Sequence, residues 1–201
     1  AAVGIHPENI EDGWEADLET IRALAQNESK VRAIGEIGLD LLLGKRRACA
    51  CADSRLYLPA KWSWRVALHL PVIVHDRDAH ADSMEITRRY PDVIGVYHCY
   101  AGHVEMAREL LKLGYYLSFT GVITFKNAKK AKEVIREVPI ERLMIETDSP
   151  YMAPEPFRGR RNSSLYVHRM AETIAEIKGI SAAEVERITT ENGRQLFGIS
   201  G

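Results

Sequence analysis

Polar residues that can bind a metal ion or move a proton stand at or just after the ends of most short apolar stretches in this sequence. They are His6 in GIHP, Glu36 and Asp40 in GEIGLD, His75 in VIVHDRDAH, His98 in YHCYAG, and Glu146 and Asp148 in IETDSP. Histidine nitrogens and carboxylate oxygens together suit zinc or manganese, and a larger share of carboxylate and water suits magnesium. The repeated pattern therefore predicts a metal centre.

Each of these residues also has a simpler structural explanation. A single histidine at a strand end is more often a hydrogen-bonded structural residue than a ligand, and Asp148, before Ser149-Pro150, could begin a turn. Glu36, after Gly35, could be a solvated strand end. Solvated ends need not be histidine and glutamate on one strand after another, so the joint pattern favours the metal centre. The remaining histidines are interpreted as surface or packing residues: His69, His80, His103 and His168.

A basic segment, PEPFRGRRNSS at 154–164, follows the last of these motifs. Its arginines and one amide stand beside an aromatic residue: Arg158, Arg160, Arg161 and Asn162. Arginine binds phosphate through two parallel hydrogen bonds, so the segment could hold phosphate groups, although a basic surface loop explains it equally well. Lys126, at a predicted strand-to-helix turn in TFKNAKK, could also contact phosphate.

The elements that must position these residues alternate between short apolar runs and longer amphipathic patterns. The predicted strands are 1–5, 31–39, 70–75, 93–98, 115–122 and 142–147. The predicted helices are 14–26, 79–89, 103–113, 127–137, 162–178 and 181–196. Nearly continuous apolar runs rich in β-branched residues are typical of buried parallel strands, and repeated strand–helix units indicate a parallel sheet.

Such a sheet can be an open doubly wound sheet or a closed barrel. No G-x-G-x-x-G follows the first strand, so a dinucleotide-binding open sheet has no support. A barrel typically needs about 250 residues, and six predicted strands in 201 residues fit a barrel whose first two strand–helix units are absent. We therefore predict an α/β chain that forms a single, incomplete TIM-type (β/α)8 barrel domain over 1–201. The C-terminal strand ends of a barrel share one face, where the polar residues should converge.

Composition narrows the class of protein further. The 27 basic and 28 acidic residues nearly cancel, so any site for a polyanion must be local. No apolar run approaches the roughly 20 residues that a membrane span needs. The cysteines, Cys49, Cys51 and Cys99, cannot form a disulfide framework, which favours a reducing, cytoplasmic location. The start, AAVGIHP, has neither an initiator methionine nor a signal-peptide layout, which indicates a fragment.

The segment 41–67 differs from everything around it. Its first part, LLLGKRRACACADSRLYLPAKWSWR, concentrates cysteine, tryptophan and basic residues. Regrouping plausible codons by one base turns parts of it into an ordinary helix-like sequence, so we interpret it as a frameshifted segment; a divergent insertion is the alternative. No amphipathic helix is expected across 46–62, and at least one of its tryptophans should be exposed.

Several long motifs occur in order along the chain: GIHP, GEIGLD, VIVHDRDAH, YHCYAG, GVITFKNAKK, IETDSPYMAP and TTENGRQLFG. Together they resemble the TatD family of metal-dependent deoxyribonucleases, within the amidohydrolase superfamily of (β/α)8 barrels. The resemblance implies that Glu36 bridges two metal ions and that His75 and His98 are ligands. Asp148 would be the final-strand ligand and general base. Glu146 and His6 would then lie near the ligands and orient them.

The resemblance also implies an activity. It predicts hydrolysis of DNA phosphodiester bonds, of the exonuclease type and on single strands or ends, with two divalent ions (Mg, Mn or Zn) and no membrane or protein partner. Two features depart from the family pattern: its first-strand H-x-H pair is missing, and Arg161-Asn162 is followed by Ser163-Ser164 where the family usually reads R-N-E-P. Impaired activity in this chain is therefore expected. An amidohydrolase acting on a small ester or C–N substrate and a non-catalytic remnant are the alternatives.

Overall fold

A computed structural model describes residues 1–10, 13–44 and 69–200. The predictions for 46–62 and for its tryptophans therefore lie outside the described residues. The chain divides into two compact units, Ala1–Tyr97 and His98–Gly201. Among the described residues, no helix is both long enough and apolar enough to cross a membrane.

The first unit is built on parallel strands. They are β1 (Ala2–Val3), β2 (Ala33–Asp40), β3 (Val72–Arg77) and β4 (Gly95–Tyr97). Each strand pairs in parallel with the next one along the chain. Ile34, Ile37 and Val72 are fully buried, as expected for β-branched residues in a sheet that is covered on both faces. The predicted strands are confirmed, with boundaries that differ by one or two residues and with β2 and β3 ending later than predicted.

Helices connect these strands. Helix α1 (Trp14–Asn27) precedes β2, a short helix α2 (Leu41–Gly44) follows it directly, and α3 (His80–Arg89) follows β3. A 3-10 turn, Pro7–Asn9, comes after β1. Because helices α1 and α3 bury only one side, through residues such as Leu18 and Ile86, they are the amphipathic helices that the sequence pattern predicts.

The pairing of β2 with β3 sets the positions of the polar residues in the first unit. Gly38 lies opposite His75, and Asp40 opposite Arg77. Gly38 has a φ of +153°, and a Cβ atom there would lie 1.8 Å from the carbonyl oxygen of His75. Only glycine allows this close approach of the two strands. Gly38, the second glycine of GEIGLD, therefore brings the ends of β2 and β3 together.

The second unit contains strands β5 (Tyr116–Phe119) and β6 (Leu143–Ile145). They are parallel, with Leu117 opposite Leu143. Around them lie helices α4 (Val104–Lys112), α5 (Lys129–Glu137), α6 (His168–Lys178) and α7 (Ala182–Phe197). The buried core of the unit includes Leu110, Phe119 and Ile174. Strand–helix alternation thus continues as predicted.

Several helix boundaries in this unit follow from capping. The Ser181 hydroxyl accepts a hydrogen bond from the backbone N–H of Glu184 at 3.2 Å, which confirms the predicted start of α7. Gly114, with a φ of +86°, follows α4 in the left-handed conformation that commonly ends a helix. His103 also caps α4, because its Nδ1 accepts from the backbone N–H of Met106 at 3.2 Å. His103 therefore has a structural role.

Two predicted boundaries in this unit differ from the structure by three residues or more. The helix expected over 162–178 begins only at His168, after a separate 3-10 turn at Ser164–Tyr166. Ser163 caps that turn through its hydroxyl, and the side chain of Asn162 is bonded to the backbone of an earlier turn. The strand expected over 115–122 ends at Phe119 and passes into a 3-10 turn at Gly121–Thr124. At the first boundary the hydrogen bonds of Ser163 and Asn162 override the apolar pattern. At the second, the backbone N–H of Ile123 donates to the carbonyl oxygen of Thr120 at 3.2 Å, which closes the turn after β5.

Candidate metal centre

Three side chains of the first unit form a compact group. The Nδ1 atom of His75 lies 2.8 Å from Oε1 of Glu36 and 3.2 Å from Nε2 of His6. Nε2 of His6 lies 3.5 Å from the same Glu36 oxygen. One ligand atom from each residue can be chosen so that all lie within 4.8 Å of one another, a spacing that could hold a metal ion. Within the described part of the chain, no other group of this kind is found.

His6 is oriented by the turn that follows β1. Its Nδ1 atom accepts a hydrogen bond from the backbone N–H of Glu8 at 3.2 Å, as the cap of the 3-10 turn Pro7–Asn9. Because one ring nitrogen is used in this way, the other one, Nε2, faces His75. The family resemblance placed His6 near the ligands, and the structure places it among the residues that could themselves bind the ion.

Glu36 is aimed by an irregularity in β2. The β2–β3 register shifts between Ile34 and Ile37, and all residues of β2 except Glu36 are buried. A bulge of this kind turns a side chain away from the regular alternation of a strand. The side chain of Glu36 is accordingly 30% exposed, although it lies in the middle of a buried strand. The bulge therefore presents a carboxylate where a uniform strand would present an apolar side chain.

Asp40, at the end of the same strand, contacts the opposite side of the His75 ring. Its Oδ2 atom lies 3.1 Å from Nε2 of His75, while Oδ1 accepts from the backbone N–H of Leu42 at 3.1 Å. The sequence motif singled out Asp40 as a polar strand end but assigned it no role. The signal that could have found it is the parallel pairing of GEIGLD with VIVHDR, which puts Asp40 beside the strand that bears His75.

A second histidine–carboxylate pair lies close by in sequence, in the first unit. Nδ1 of His80 is 2.7 Å from Oδ2 of Asp76, and the Ser83 hydroxyl donates to Oδ1 of the same carboxylate at 3.2 Å. His80 and Asp76 are spaced i, i+4, and they join the end of β3 to the first turn of α3. The pair supports the interpretation of His80 as a packing residue.

His98 and Glu146 approach each other in the second unit. Nδ1 of His98 lies 3.5 Å from Oε1 of Glu146, and that oxygen accepts the backbone N–H of Cys99 at 2.5 Å. Asp148 follows in a turn, in which its carbonyl accepts from the N–H of Tyr151 at 2.9 Å. The structure thus brings Glu36 and His75 together, and His98 and Glu146 together. A single centre made of Glu36, His75, His98 and Asp148 stays a prediction.

The basic segment lies on the surface of the second unit. Arg158, Arg160 and Arg161 are exposed, as is Lys126. The Arg158 guanidinium stacks over the ring of Phe125 at 4.3 Å. Such stacking leaves the edge of the guanidinium open for hydrogen bonds, so these side chains fit the predicted contact with phosphate.

Asn162 differs from its basic neighbours and requires a correction. It is buried, and its amide nitrogen donates to the carbonyl oxygens of Thr147 and Tyr151, at 2.6 Å each. Its amide oxygen accepts from the backbone N–H of Ser163 at 2.8 Å. Because both amide hydrogens are already used, this side chain shapes the turn after Asp148 and does not offer a donor to phosphate.

The donor set of the first unit fits a divalent metal ion. Two imidazoles and one carboxylate form one of the common ligand sets of catalytic zinc sites, and imidazole and carboxylate also bind manganese. All three side chains are partly buried, which limits competition from water. His6, Glu36 and His75 are therefore the described residues best placed to hold an ion.

Comparison with known proteins supports metal dependence. The family model described as "TatD related DNase" matches residues 1–198. The Bacillus subtilis protein described as uncharacterized metal-dependent hydrolase YabD is 44% identical, over 100% of this chain and 78% of the relative. The Escherichia coli K12 protein described as uncharacterized metal-dependent hydrolase YcfH is 41% identical, over 98% of this chain and 72% of the relative.

Solved structures give the same result. The TatD homolog YJJV from Escherichia coli K12 matches with a TM-score of 0.83 and 28% identity, over 100% of this chain and 77% of that one. A TatD-family hydrolase from Entamoeba histolytica matches with a TM-score of 0.79 and 25% identity, over 98% of this chain and 73% of that one. These similarities confirm the predicted α/β, TIM-type barrel class. The chain belongs to the family of TatD-related, metal-dependent hydrolases.

Proposed function

We propose that this protein is a deoxyribonuclease that hydrolyses phosphodiester bonds of DNA, as an exonuclease on single strands or free ends. The observation that supports the proposal most directly is the His6–Glu36–His75 group, whose spacing could hold a metal ion, in a chain that the "TatD related DNase" family model matches over residues 1–198. Exposed arginines of the second unit supply a second argument, because a nuclease must hold a polyanion and the chain as a whole has a net charge of only -1.

The proposal assigns the metal ions to carboxylates and imidazoles. Glu36, His75, His98 and Asp148 would hold two divalent ions (Mg, Mn or Zn), and Glu36 would be the ligand that both ions share. Bound divalent ions would neutralise charge that develops on the phosphate and make a water molecule more acidic. Of the three residues in the His6–Glu36–His75 group, the proposal takes Glu36 and His75 as ligands. It assigns His6, together with Glu146, to orienting the ligands, and the contact of each with a neighbouring histidine suits that role.

Side chains of this protein transfer the proton and bind the substrate. Asp148 accepts the proton of the attacking water, which a carboxylate beside cations can do at neutral pH. Arg158, Arg160, Arg161 and Lys126 bind substrate phosphates. Two features suit that work: the guanidinium of Arg158 is already oriented by Phe125, and the other three side chains are exposed.

One assay tests the proposal. The purified chain is incubated with end-labelled single-stranded DNA, double-stranded DNA, RNA and a panel of small esters, each with added Mg²⁺, Mn²⁺ or Zn²⁺ and each with a chelator. We expect slow, metal-dependent shortening of DNA from one end, strongest for single strands; the activity should be impaired because the family's H-x-H pair of metal ligands does not occur in this sequence. Glu36→Gln should abolish this activity, and the matched variant Glu105→Gln, on the exposed face of α4, should leave it unchanged.

Other results would contradict the proposal. Hydrolysis of small esters without cleavage of DNA would favour an amidohydrolase of the same fold class. DNA cleavage that persists in the chelator or in Glu36→Gln would show that the His6–Glu36–His75 group does not perform the reaction. Absence of every activity, with metal binding intact, would favour a non-catalytic protein.

A further inference from the structure

We infer that Asp40 is a positioning residue, which orients His75 for metal binding by accepting a hydrogen bond from Nε2 of its ring. The inference rests on the proposed metal site and adds to it a residue that neither the family resemblance nor the sequence motif assigned to any role. It concerns the binding of the ion and not the chemistry of the substrate, so it can be tested without a nuclease assay.

The two ring nitrogens of His75 face different groups. Nδ1 faces Glu36 and His6, the other members of the metal-binding group, and Nε2 faces Oδ2 of Asp40 at 3.1 Å. An imidazole binds a metal ion through a nitrogen that bears no hydrogen, so the other nitrogen must bear it. A carboxylate that accepts that N–H selects the correct tautomer, fixes the ring and increases the basicity of the ligand. Asp40 is in the position where this carboxylate is needed.

Asp40 itself is fixed in place. Its side chain is only 2% exposed. Its Oδ1 atom accepts the backbone N–H of Leu42 at 3.1 Å, and Nη1 of Arg77 lies 3.6 Å from Oδ2. Asp40 and Arg77 are also direct neighbours in the β2–β3 register. A carboxylate with both oxygens in use cannot rotate away, so the ring of His75 is held from the side opposite to Glu36.

A purely structural role for Asp40 is the competing explanation. The bond to Leu42 alone would make Asp40 the cap of the short helix α2. The Asp76–His80 pair provides the comparison that separates the two roles. It has the same chemistry and a similarly buried carboxylate, with 5% of the Asp76 side chain exposed, and His80 is not part of the metal-binding group.

The test uses Asp40→Asn and Asp76→Asn in the full 201-residue chain. An amide has the shape of the carboxylate, but one of its two ends donates. At position 40, one orientation sets this donor against the N–H of His75, and the other sets it against the N–H of Leu42. With the first orientation, His75 regains a hydrogen bond only by moving its own hydrogen to Nδ1, which blocks the nitrogen that faces Glu36.

Binding of Mn²⁺ and Zn²⁺ to the metal-free proteins, measured by calorimetry, is the first readout. Asp40→Asn should weaken binding about 10- to 100-fold, as the loss of such a partner usually does, and Asp76→Asn should weaken it less than about threefold. Unchanged binding in Asp40→Asn, or equal weakening in both variants, would overturn the inference.

The second readout is the ring N–H signal of His75 in protein labelled with ¹⁵N-histidine, recorded without metal and assigned with His75→Gln. The wild type should show a hydrogen-bonded Nε2–H that exchanges slowly, because Asp40 is buried; Asp76→Asn should keep the signal and Asp40→Asn should lose it. Absence of the signal from the wild type, or its persistence in Asp40→Asn, would overturn the inference. The wild-type signal remains informative if Asp40→Asn fails to fold. It also remains informative if the wild type binds no metal, and absence of metal binding would count against the proposed function alone.

Discussion

Each of the two units contains a glutamate beside a histidine, and the two glutamates are held differently. In the first unit, Oε1 of Glu36 lies 2.8 Å from a ring nitrogen of His75 and 3.5 Å from one of His6. In the second unit, Oε1 of Glu146 accepts a backbone N–H at 2.5 Å and lies 3.5 Å from His98. A carboxylate that faces two imidazoles is arranged as a metal ligand. A carboxylate bonded to the backbone is arranged to orient its neighbours.

The backbone around the two groups differs as well. The first group depends on a bulged strand whose register is fixed by β3. The second group lies on turns, in which Cys99 and Asp148 have φ angles of +45° and +54°. A residue other than glycine in this left-handed region costs about 1 to 3 kcal/mol and needs support from the surrounding structure. For Cys99, the bond to Glu146 gives such support, so removing Glu146 should disturb a turn as well as a side-chain contact.

Exchange of the two glutamates for alanine should give the largest effect and should separate their roles. Glu36→Ala removes a metal ligand, so we expect metal affinity and DNA cleavage to fall by about three orders of magnitude or more, close to complete loss. Glu146→Ala removes an orienting group, so we expect a fall of about 10- to 100-fold. Metal content after dialysis measures the affinity for metal, and initial rates on labelled DNA measure cleavage, for both variants. His80→Ala serves as the control and should change neither.

The result for these variants can contradict the comparison in a specific way. Equal losses in Glu36→Ala and Glu146→Ala would mean that the two glutamates play the same role. A loss in His80→Ala as large as that in Glu36→Ala would mean that activity falls because the first unit is destabilised.

An intermediate effect, on stability, is expected from Asn162→Ala. The change removes the amide that donates to the carbonyl oxygens of Thr147 and Tyr151, and each intramolecular hydrogen bond contributes about 0.5 to 1.5 kcal/mol to stability. We therefore expect the free energy of unfolding to fall by about 2 kcal/mol, measured by urea denaturation. Arg161→Ala, at the neighbouring exposed position, should change it by less than about 0.5 kcal/mol. A variant of Asn162 with normal stability and weak DNA binding would restore the phosphate role predicted from sequence.

The smallest effect is expected from single arginines of the basic segment. Arg160→Ala should weaken binding of single-stranded DNA several-fold at low salt and should reduce the slope of log K against log[salt] by about 0.7, the value for one phosphate contact. Fluorescence anisotropy at several salt concentrations measures this slope. Lys112→Ala, an exposed basic residue at the end of α4, is the control. Identical slopes for both variants would show that the segment makes no specific contact with phosphate.

Much of the architecture was predictable from sequence because it depends on local patterns. Apolar runs predicted every strand in the described part of the chain, and the amphipathic pattern over 181–196 predicted helix α7. The metal-binding types of residue were also evident, since His6, Glu36 and His75 each stand at or beside a strand end. Periodicity and capping act over a few residues, so a sequence shows them directly.

Contacts between distant residues could only come from the tertiary structure. Asp40 looked like an unassigned strand end until the β2–β3 register placed it 3.1 Å from His75, and Asn162 looked like a phosphate ligand until its amide proved to be bonded to an earlier turn. A shift of one residue in a strand moves every side chain to the opposite face. The sequence by itself determined which elements form and which residue types could bind a metal ion. The register and the closing of turns decided which atoms meet, because hydrogen-bond partners are selected by position in space.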